Sequence, residues 1–333
     1  MFEGKKVLIT GGTGSLGTAV TKRLLATNVE TIRIFSRDEW KQTQMQSTFN
    51  DTRLRFFIGD IRDKERLSRA LEDVDIVIHA AALKQVPVAE YNPFEAVKTN
   101  VHGAANLIEA CLDENVETVV AIGTDKAVSP FNTYGATKFL MERLFISANF
   151  YKGNHDIQFT CVRYGNVLGS RGSIVPLFID QITRGKKITI TDPTMTRFNI
   201  TMDQALDLIL RTLKYKMGGA IFIPKLKAYQ VGDMKNAIVE LLHDKNEIER
   251  IPVRPGEKYH ESLISKDEIR NTYETKEDYV IFEEQIQSQD HRKIPGIKKS
   301  NLKDRYSSDT VKLLTKDELK TILKKEKLIP YVD

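Results

Sequence analysis

Tyr134 and Lys138 stand four residues apart in the run YGATK, a spacing that projects both side chains from one face at the start of a helix. A free tyrosine has a pKa of about 10 and is a poor base at neutral pH. A nearby ammonium and a positively charged cofactor ring both favour the phenolate, so the pair predicts a proton acceptor for an alcohol being oxidised. A cofactor site to match lies near the start of the chain. Thr10 to Gly17 reads TGGTGSLG, with Gly11, Gly14 and Gly17 three apart. A turn this tight uses backbone angles open to glycine, lets the main chain approach a pyrophosphate, and aims the N–H groups of a helix start at its charge. Gly11, Thr13, Gly14, Ser15, Leu16 and Gly17 are therefore candidates for binding a dinucleotide.

Positioning these groups takes alternating strands and helices, and the first half of the chain carries that pattern. The predicted strands are Lys5 to Thr10, Thr31 to Ser36, Leu54 to Ile58, Asp75 to Ala81, Thr118 to Ile122 and Gln158 to Tyr164. Between them, helices are predicted over Ser15 to Ala26, Asp38 to Phe49, Lys64 to Leu71, Asn92 to Asp113 and Thr133 to Tyr151, the first with Leu16, Val20 and Leu24 on one face. Repeated βαβ units imply an α/β fold: a Rossmann-type doubly wound parallel sheet over residues 1–168. Residues 169–333 are expected to form mainly a smaller α/β substrate-binding lobe at the carboxyl ends of the strands, with segments returning to the first domain. Two capping boxes, Ser265 with Glu268 and Thr315 with Glu318, predict two ordered helices near the carboxyl end, with Ile264/Ile269 and Leu314/Leu319 at the staple positions.

The end of the second strand separates the two nicotinamide cofactors, because an acid there binds a ribose hydroxyl and a base accepts a 2′-phosphate. The strand ends Phe35-Ser36-Arg37. Ser36 occupies the acid's place, Arg37 can fork onto a phosphate, and Lys41 offers a second cation one helical turn on. NADP(H) is thus expected over NAD(H), although a register shift of one residue would bring Asp38 to the ribose. Asp60 and Ile61 are placed at the adenine, and Ala80, Ala81 and Ala82 offer small side chains where the cofactor passes.

These motifs, together with HAAA after the fourth strand and RYGNVLGSRGS after the sixth, stand where the extended short-chain dehydrogenase/reductase family has them, and the chain resembles that family. Within it, the chain is similar to the group of inverting UDP-N-acetylglucosamine 4,6-dehydratases over about residues 4–265. SRDEWKQ, HAALKQVPVAEYNPFEAVKTNV, the triplet Thr124-Asp125-Lys126, TDPTMTRF and RPGEK carry that likeness. The last 65 or so residues carry no motif tied to chemistry.

The resemblance implies a reaction. Thr124 would bond the sugar O4 beside Tyr134, while Asp125 and Lys126 supply an acid and a base near C5 and C6. A lysine where retaining enzymes carry Glu marks the inverting group. The implied sequence is oxidation at C4, loss of water across C5 and C6, hydride return to C6 and reprotonation of C5 from the opposite face. Lys126 would act as base with its pKa lowered by desolvation and cationic neighbours, and Asp125 as a protonated acid. For the substrate, Lys84 and Asn166 are candidates near the sugar, and Arg197 and Arg254 near the diphosphate. The likeness also implies a homo-oligomer, dimer or hexamer, feeding pseudaminic acid or related surface-glycan synthesis. Two other readings stay open: a UDP-sugar 4-epimerase or C5-retaining dehydratase, and a non-catalytic NADP-binding sensor.

Composition sets the outer bounds. The chain has 333 residues, 41% hydrophobic and 29% charged, with mean hydropathy −0.33, which fits a globular protein of about two domains. Its 50 basic and 45 acidic residues are interleaved, giving no basic block for a nucleic-acid partner. No window approaches the roughly 18 apolar residues of a membrane span, and the start offers no signal-peptide stretch. Cys111 and Cys161 lie in apolar runs and read as buried thiols, so a cytoplasmic protein is expected. His79 reads as a hydrogen-bonded core histidine, and no Cys/His spacing predicts a metal.

Overall fold

The computed structural model describes residues 1–243, 247–283 and 293–330. Its first half runs β1 (Lys6–Thr10), α1 (Ser15–Leu25), β2 (Thr31–Ser36), α2 (Glu39–Phe49), β3 (Leu54–Ile58), α3 (Lys64–Leu71) and β4 (Ile76–His79). It continues through α4 (Val86–Tyr91), α5 (Pro93–Val97), α6 (Gly103–Asp113), β5 (Thr118–Ile122), α7 (Thr133–Tyr151) and β6 (Gln158–Val162). The second half holds α8 (Ile174–Thr183), β7 (Ile188–Ile190), β8 (Thr196–Phe198), α9 (Met202–Tyr215), β9 (Ala220–Pro224), β10 (Ala228–Gln230) and α10 (Val231–Leu241). Then follow β11 (Ile248–Arg250), β12 (Ser262–Ile264), β13 (Thr272–Glu274), β14 (Asp278–Phe282), β15 (Lys298–Lys299), β16 (Tyr306–Ser307) and α11 (Lys316–Lys325).

Near-continuous apolar strands such as VLIT and IVI suit a sheet covered on both faces, and they occupy its middle. The central sheet has the order β15-β13-β14-β9-β6-β5-β4-β1-β2-β3. Strands β3 to β9 in that order run parallel, and β14, β13 and β15 close the far edge antiparallel. This is the doubly wound, Rossmann-type α/β architecture. Because β1 has β2 on one side and β4 on the other, the strand order reverses there, and ligands bind at the carboxyl ends beside such a reversal. A second apolar cluster, with Phe178, Met195, Tyr229, Ile238 and Leu319, gathers α8, α10 and α11 away from the sheet.

Two helix expectations need correction. The helix expected over Asn92–Asp113 is α5 and α6 joined by a π-helical turn at Lys98–His102, with α4 ahead of it. Asn92-Pro93 separates α4 from α5, since proline fits a first helical turn and not an interior. The wide turn lets the buried Asn100 side chain bond both main-chain groups of Leu83, at 2.8 and 2.9 Å, and Thr137 Oγ1 at 3.0 Å. At Ser265 the reciprocal cap forms, at 2.8 and 3.3 Å, but only a 3-10 turn at Asp267–Asn271 follows. Thr272 then pairs with Ile281 across the sheet, so strand pairing overrides the helix signal. The box at Thr315 does open a helix, α11.

His79 is fully buried, bonds Thr10 Oγ1 through Nδ1 at 2.8 Å, and is pushed down to about 3 by burial, so it is neutral at neutral pH. Cys111 and Cys161 are buried free thiols whose pKa burial raises. No helix among the described residues is long and apolar enough to cross a membrane.

Candidate active site

A cavity of about 780 Å³ opens at the carboxyl ends of the parallel strands. At one end it is lined by Gly11, Thr13, Gly14, Ser15, Leu16, Gly17, Ser36, Arg37, Lys41, Asp60, Ile61 and Ala80 to Ala82. At the other it is lined by Lys84, Thr124, Lys126, Tyr134, Lys138, Asn166, Arg197 and Arg254. Of the candidate catalytic, cofactor and substrate residues from the sequence, Asp125 alone does not line it.

The glycine turn follows β1 directly. Gly11 has φ +66°, and a Cβ there would lie 2.8 Å from the Ala81 main chain, so the approach of β1 and β4 requires glycine. Gly14 caps α1 without any side chain, and the first turn of α1 holds no acid. The leading N–H groups of that helix are thus left for an anion, which is the arrangement a dinucleotide pyrophosphate requires. Arg171 crosses the turn, donating from Nη2 to the Thr13 carbonyl at 2.7 Å and from Nε to Ser15 Oγ at 3.3 Å. It lies within the quoted RYGNVLGSRGS run and lines the cavity, yet no spacing rule ties it to the glycine turn.

Past β2, Ser36 Oγ accepts from Gln42 at 3.0 Å, and Arg37 is exposed beside the cavity, 3.7 Å from Asp60. Lys41 is less free than the sequence implied. Its ammonium pairs with Asp38 at 2.6 Å, and the same carboxylate caps α2. Asp38 is occupied in this way, and Asp60 holds Arg62 at 2.7 Å.

At the opposite end, Asn132 caps α7 through Gly135 N–H at 2.7 Å and donates to the Gly256 carbonyl at 2.8 Å. A Cβ on Gly135 would overlap the Lys126 carbonyl, so glycine lets α7 close on the turn at Asp125–Ala127 and brings Tyr134 beside Thr124 in the cavity wall. Burial pushes the Tyr134 phenol up to about 12, against the opposing pull of the Lys126 charge and the Thr124 hydrogen bond. Of the two influences expected to favour the phenolate, an ammonium and the cofactor ring, the ammonium acting on it here is that of Lys126, and desolvation outweighs it before a cofactor binds. Lys138 is itself brought down to about 8 by burial, with Glu142 opposing, and its ammonium donates to Met141 Sδ at 2.8 Å.

Lys126 is the hub of the site. Its Nζ lies 3.1 Å from Asp125, 3.0 Å from Glu261 and 3.2 Å from Asn166 Oδ1, with 16% of the side chain exposed. Desolvation lowers its pKa, but the charges of Asp125 and Glu261 together outweigh that, so the amine stands above its ordinary value and not below it as expected. Asp125, expected to face the sugar, is fully buried. Its Oδ1 is held by Thr124 and Lys126, and this turns the carboxylate behind them. Glu261, just ahead of β12, is the residue the sequence did not offer: it lies far along the chain, and the pairing of β12 with β16, with Lys258 Nζ bonded to the Val128 and Ser129 carbonyls at 2.8 Å, holds its segment here.

Among the substrate candidates, Arg197 lines the cavity but is mostly committed to the fold. It donates to the carbonyls of Thr196 at 2.8 Å and Tyr259 at 3.0 Å and lies 3.4 Å from Glu257. Arg254 and Lys84 stand exposed at the rim.

A reversed strand order, an uncapped glycine turn and a Tyr/Lys helix closing on a shared cleft define the extended short-chain dehydrogenase/reductase class. The chain belongs to the polysaccharide biosynthesis protein family, whose model matches residues 7–283. It is 50% identical over 283 residues to an inverting UDP-N-acetylglucosamine 4,6-dehydratase of Campylobacter jejuni, covering 84% of each chain. It is 46% identical to an uncharacterized membrane protein of Methanocaldococcus jannaschii, covering 97% and 96%. It is also 41% identical to a UDP-glucose 4-epimerase of Rickettsia massiliae, again covering 97% and 96%. Among solved structures, Pen from Bacillus thuringiensis is 38% identical and superimposes with a TM-score of 0.94 over 99% of this chain and 100% of that one.

Proposed function

We propose that this chain is a UDP-N-acetylglucosamine 4,6-dehydratase acting with inversion at C5 and yielding UDP-2-acetamido-2,6-dideoxy-β-L-arabino-hex-4-ulose. The observation that carries it is Lys126, held in the cavity between two carboxylates beside Tyr134. An epimerase needs a proton acceptor at O4 and a turned ketone; it has no use for a second acid/base cluster. The Campylobacter relative supports the dehydratase reading and the Rickettsia relative the epimerase one, and the Lys126 cluster favours the former.

The uncapped helix start and glycine turn fit a nicotinamide dinucleotide. Bound there, it would supply a hydride acceptor for C4 and a donor for C6. Tyr134 takes the proton of the 4-hydroxyl while Thr124 orients O4, and Tyr134 and Lys138 would together hold the dinucleotide at this part of the cavity. The C4 carbonyl acidifies the C5 hydrogen. Passage of a proton from the Lys126 ammonium to a paired carboxylate leaves a neutral amine and a carboxylic acid, so no net proton need leave the site. The amine removes the C5 proton and the acid delivers its own to the departing 6-hydroxyl. Once C6 is reduced, the enolate takes a solvent-derived proton at C5 on the face opposite Lys126, and this inverts the centre.

Residues 1–168 would then bind the cofactor and residues 169–333 mainly the nucleotide sugar, with Lys84, Asn166, Arg197 and Arg254 around it. The cytoplasm, a dimer or hexamer, and pseudaminic acid or related glycan synthesis complete the reading. NADP is the favoured cofactor because Arg37 faces the cavity while Asp38 is engaged as a cap. Arg37→Ala is expected to weaken NADP⁺ by about tenfold or more and NAD⁺ by less than about threefold, in keeping with one charge-assisted contact, as titration calorimetry would read; equal losses would remove the argument. The activity itself is tested by proton NMR of the wild-type reaction in D₂O. A new C6 methyl signal with deuterium at C5 supports dehydration, and a product differing only at C4 supports the epimerase.

A further inference from the structure

Arg171 ties the loop between β6 and α8 to the glycine turn after β1. The loop itself is well held. Gly169 and Gly172 flank Arg171 with positive φ, +70° and +78°, and the N–H groups of Ser170 and Ser173 close turns onto the carbonyls of Val167 and Ser170 at 3.2 and 3.0 Å. A Cβ on Gly172 would overlap the Gln85 amide, so the loop packs closely on the chain that follows β4. From this base the guanidinium reaches the turn. Nη2 donates to the Thr13 carbonyl at 2.7 Å, while Nε and the Arg171 main-chain N–H both donate to Ser15 Oγ, at 3.3 and 3.4 Å. Thr13, Ser15 and Arg171 line the same cavity.

Lys41 and Arg197 spend charge on Asp38 and Glu257, but among the described residues Arg171 has no carboxylate partner. The first turn of α1 carries no acid either. An unneutralised guanidinium, fastened by a carbonyl and a hydroxyl to the turn ahead of an acid-free helix start, is suited to keep an anion in place. We propose that Arg171 retains the dinucleotide: held across the glycine turn, it closes the pyrophosphate site and slows release of the cofactor. The inference rests on the dehydratase reading and deepens it, because a hydride taken from C4 and owed to C6 is lost if the reduced cofactor departs between the two transfers.

Release is read directly by stopped-flow fluorescence, with protein loaded with NADPH or NADH and chased with excess oxidised cofactor. Arg171→Ala is expected to speed release of both by about tenfold or more, as loss of a charge-assisted contact implies, and to change association by less than about threefold. Arg171→Lys keeps the charge but cannot fork onto two acceptors, so its release is expected to be faster than wild type as well. Release from Arg171→Ala within about threefold of wild type, an effect confined to NADPH, or a wild-type release rate in Arg171→Lys would each overturn the inference. Wild type that binds neither cofactor would overturn it together with the cofactor reading. Wild type that binds them and forms no methyl product would defeat the dehydratase reading alone, and the release rates would still decide the part played by Arg171.

Discussion

Lys126→Met is expected to stop dehydration, by about 1,000-fold or more, while leaving the first oxidation in place. Methionine keeps the apolar stem and removes the amine proposed to take the C5 proton. Because C4 can still be oxidised, mixing the variant with substrate should give a lasting absorbance of reduced nicotinamide at 340 nm, where wild type gives at most a transient. Deuterium from D₂O should no longer enter C5. The substitution also leaves Asp125 and Glu261 facing one another without their cation, at a cost of about 3–5 kcal/mol if both stay charged, so a lower melting temperature is expected as well. The rate is therefore read on folded, cofactor-loaded protein. Methyl product at more than about a tenth of the wild-type rate would contradict the role given to the amine.

Tyr134→Phe is expected to fail one step earlier. The phenol is the proposed proton acceptor for O4, and removing such a group costs about 100-fold to 10,000-fold. Here no absorbance at 340 nm should develop, which separates this variant from Lys126→Met. The pH dependence carries a sign. With its pKa pushed up to about 12, the phenol is protonated throughout the neutral range before ligands bind. Wild-type oxidation should rise with pH as the phenolate fraction grows, and the residual rate of Tyr134→Phe should lack that limb. A phenylalanine variant that oxidises C4 within tenfold of wild type, with the same pH profile, would remove Tyr134 from the chemistry.

The parts of this structure that could be read in the sequence are those fixed by local rules. β1 to β6 and the helices between them follow from apolar period and from glycine at the first turn, and the central sheet takes the predicted form. Where a local signal met a tertiary demand, the tertiary demand won. The cap at Ser265 is satisfied, yet Thr272 joins a strand. The helix over Asn92–Asp113 takes a π turn that serves Asn100. Electrostatics was the least legible property. The triplet Thr124-Asp125-Lys126 showed an acid beside a base, but the sign of the shift on Lys126 depends on Glu261, which no spacing connects to it. Arg171 and Lys41 teach the same lesson, since what a cation can bind depends on the partner it already has.

The central claim is that hydrogen leaves C4 and returns to C6 of the same sugar, with water lost between the two transfers. UDP-N-acetylglucosamine deuterated at C4, turned over in ordinary water, tests it most directly. The account predicts a product whose C6 group is CH₂D, visible as a deuterium-coupled methyl signal and one added mass unit. Deuterium found back at C4 on an otherwise intact hexose would contradict it and leave an epimerase in its place.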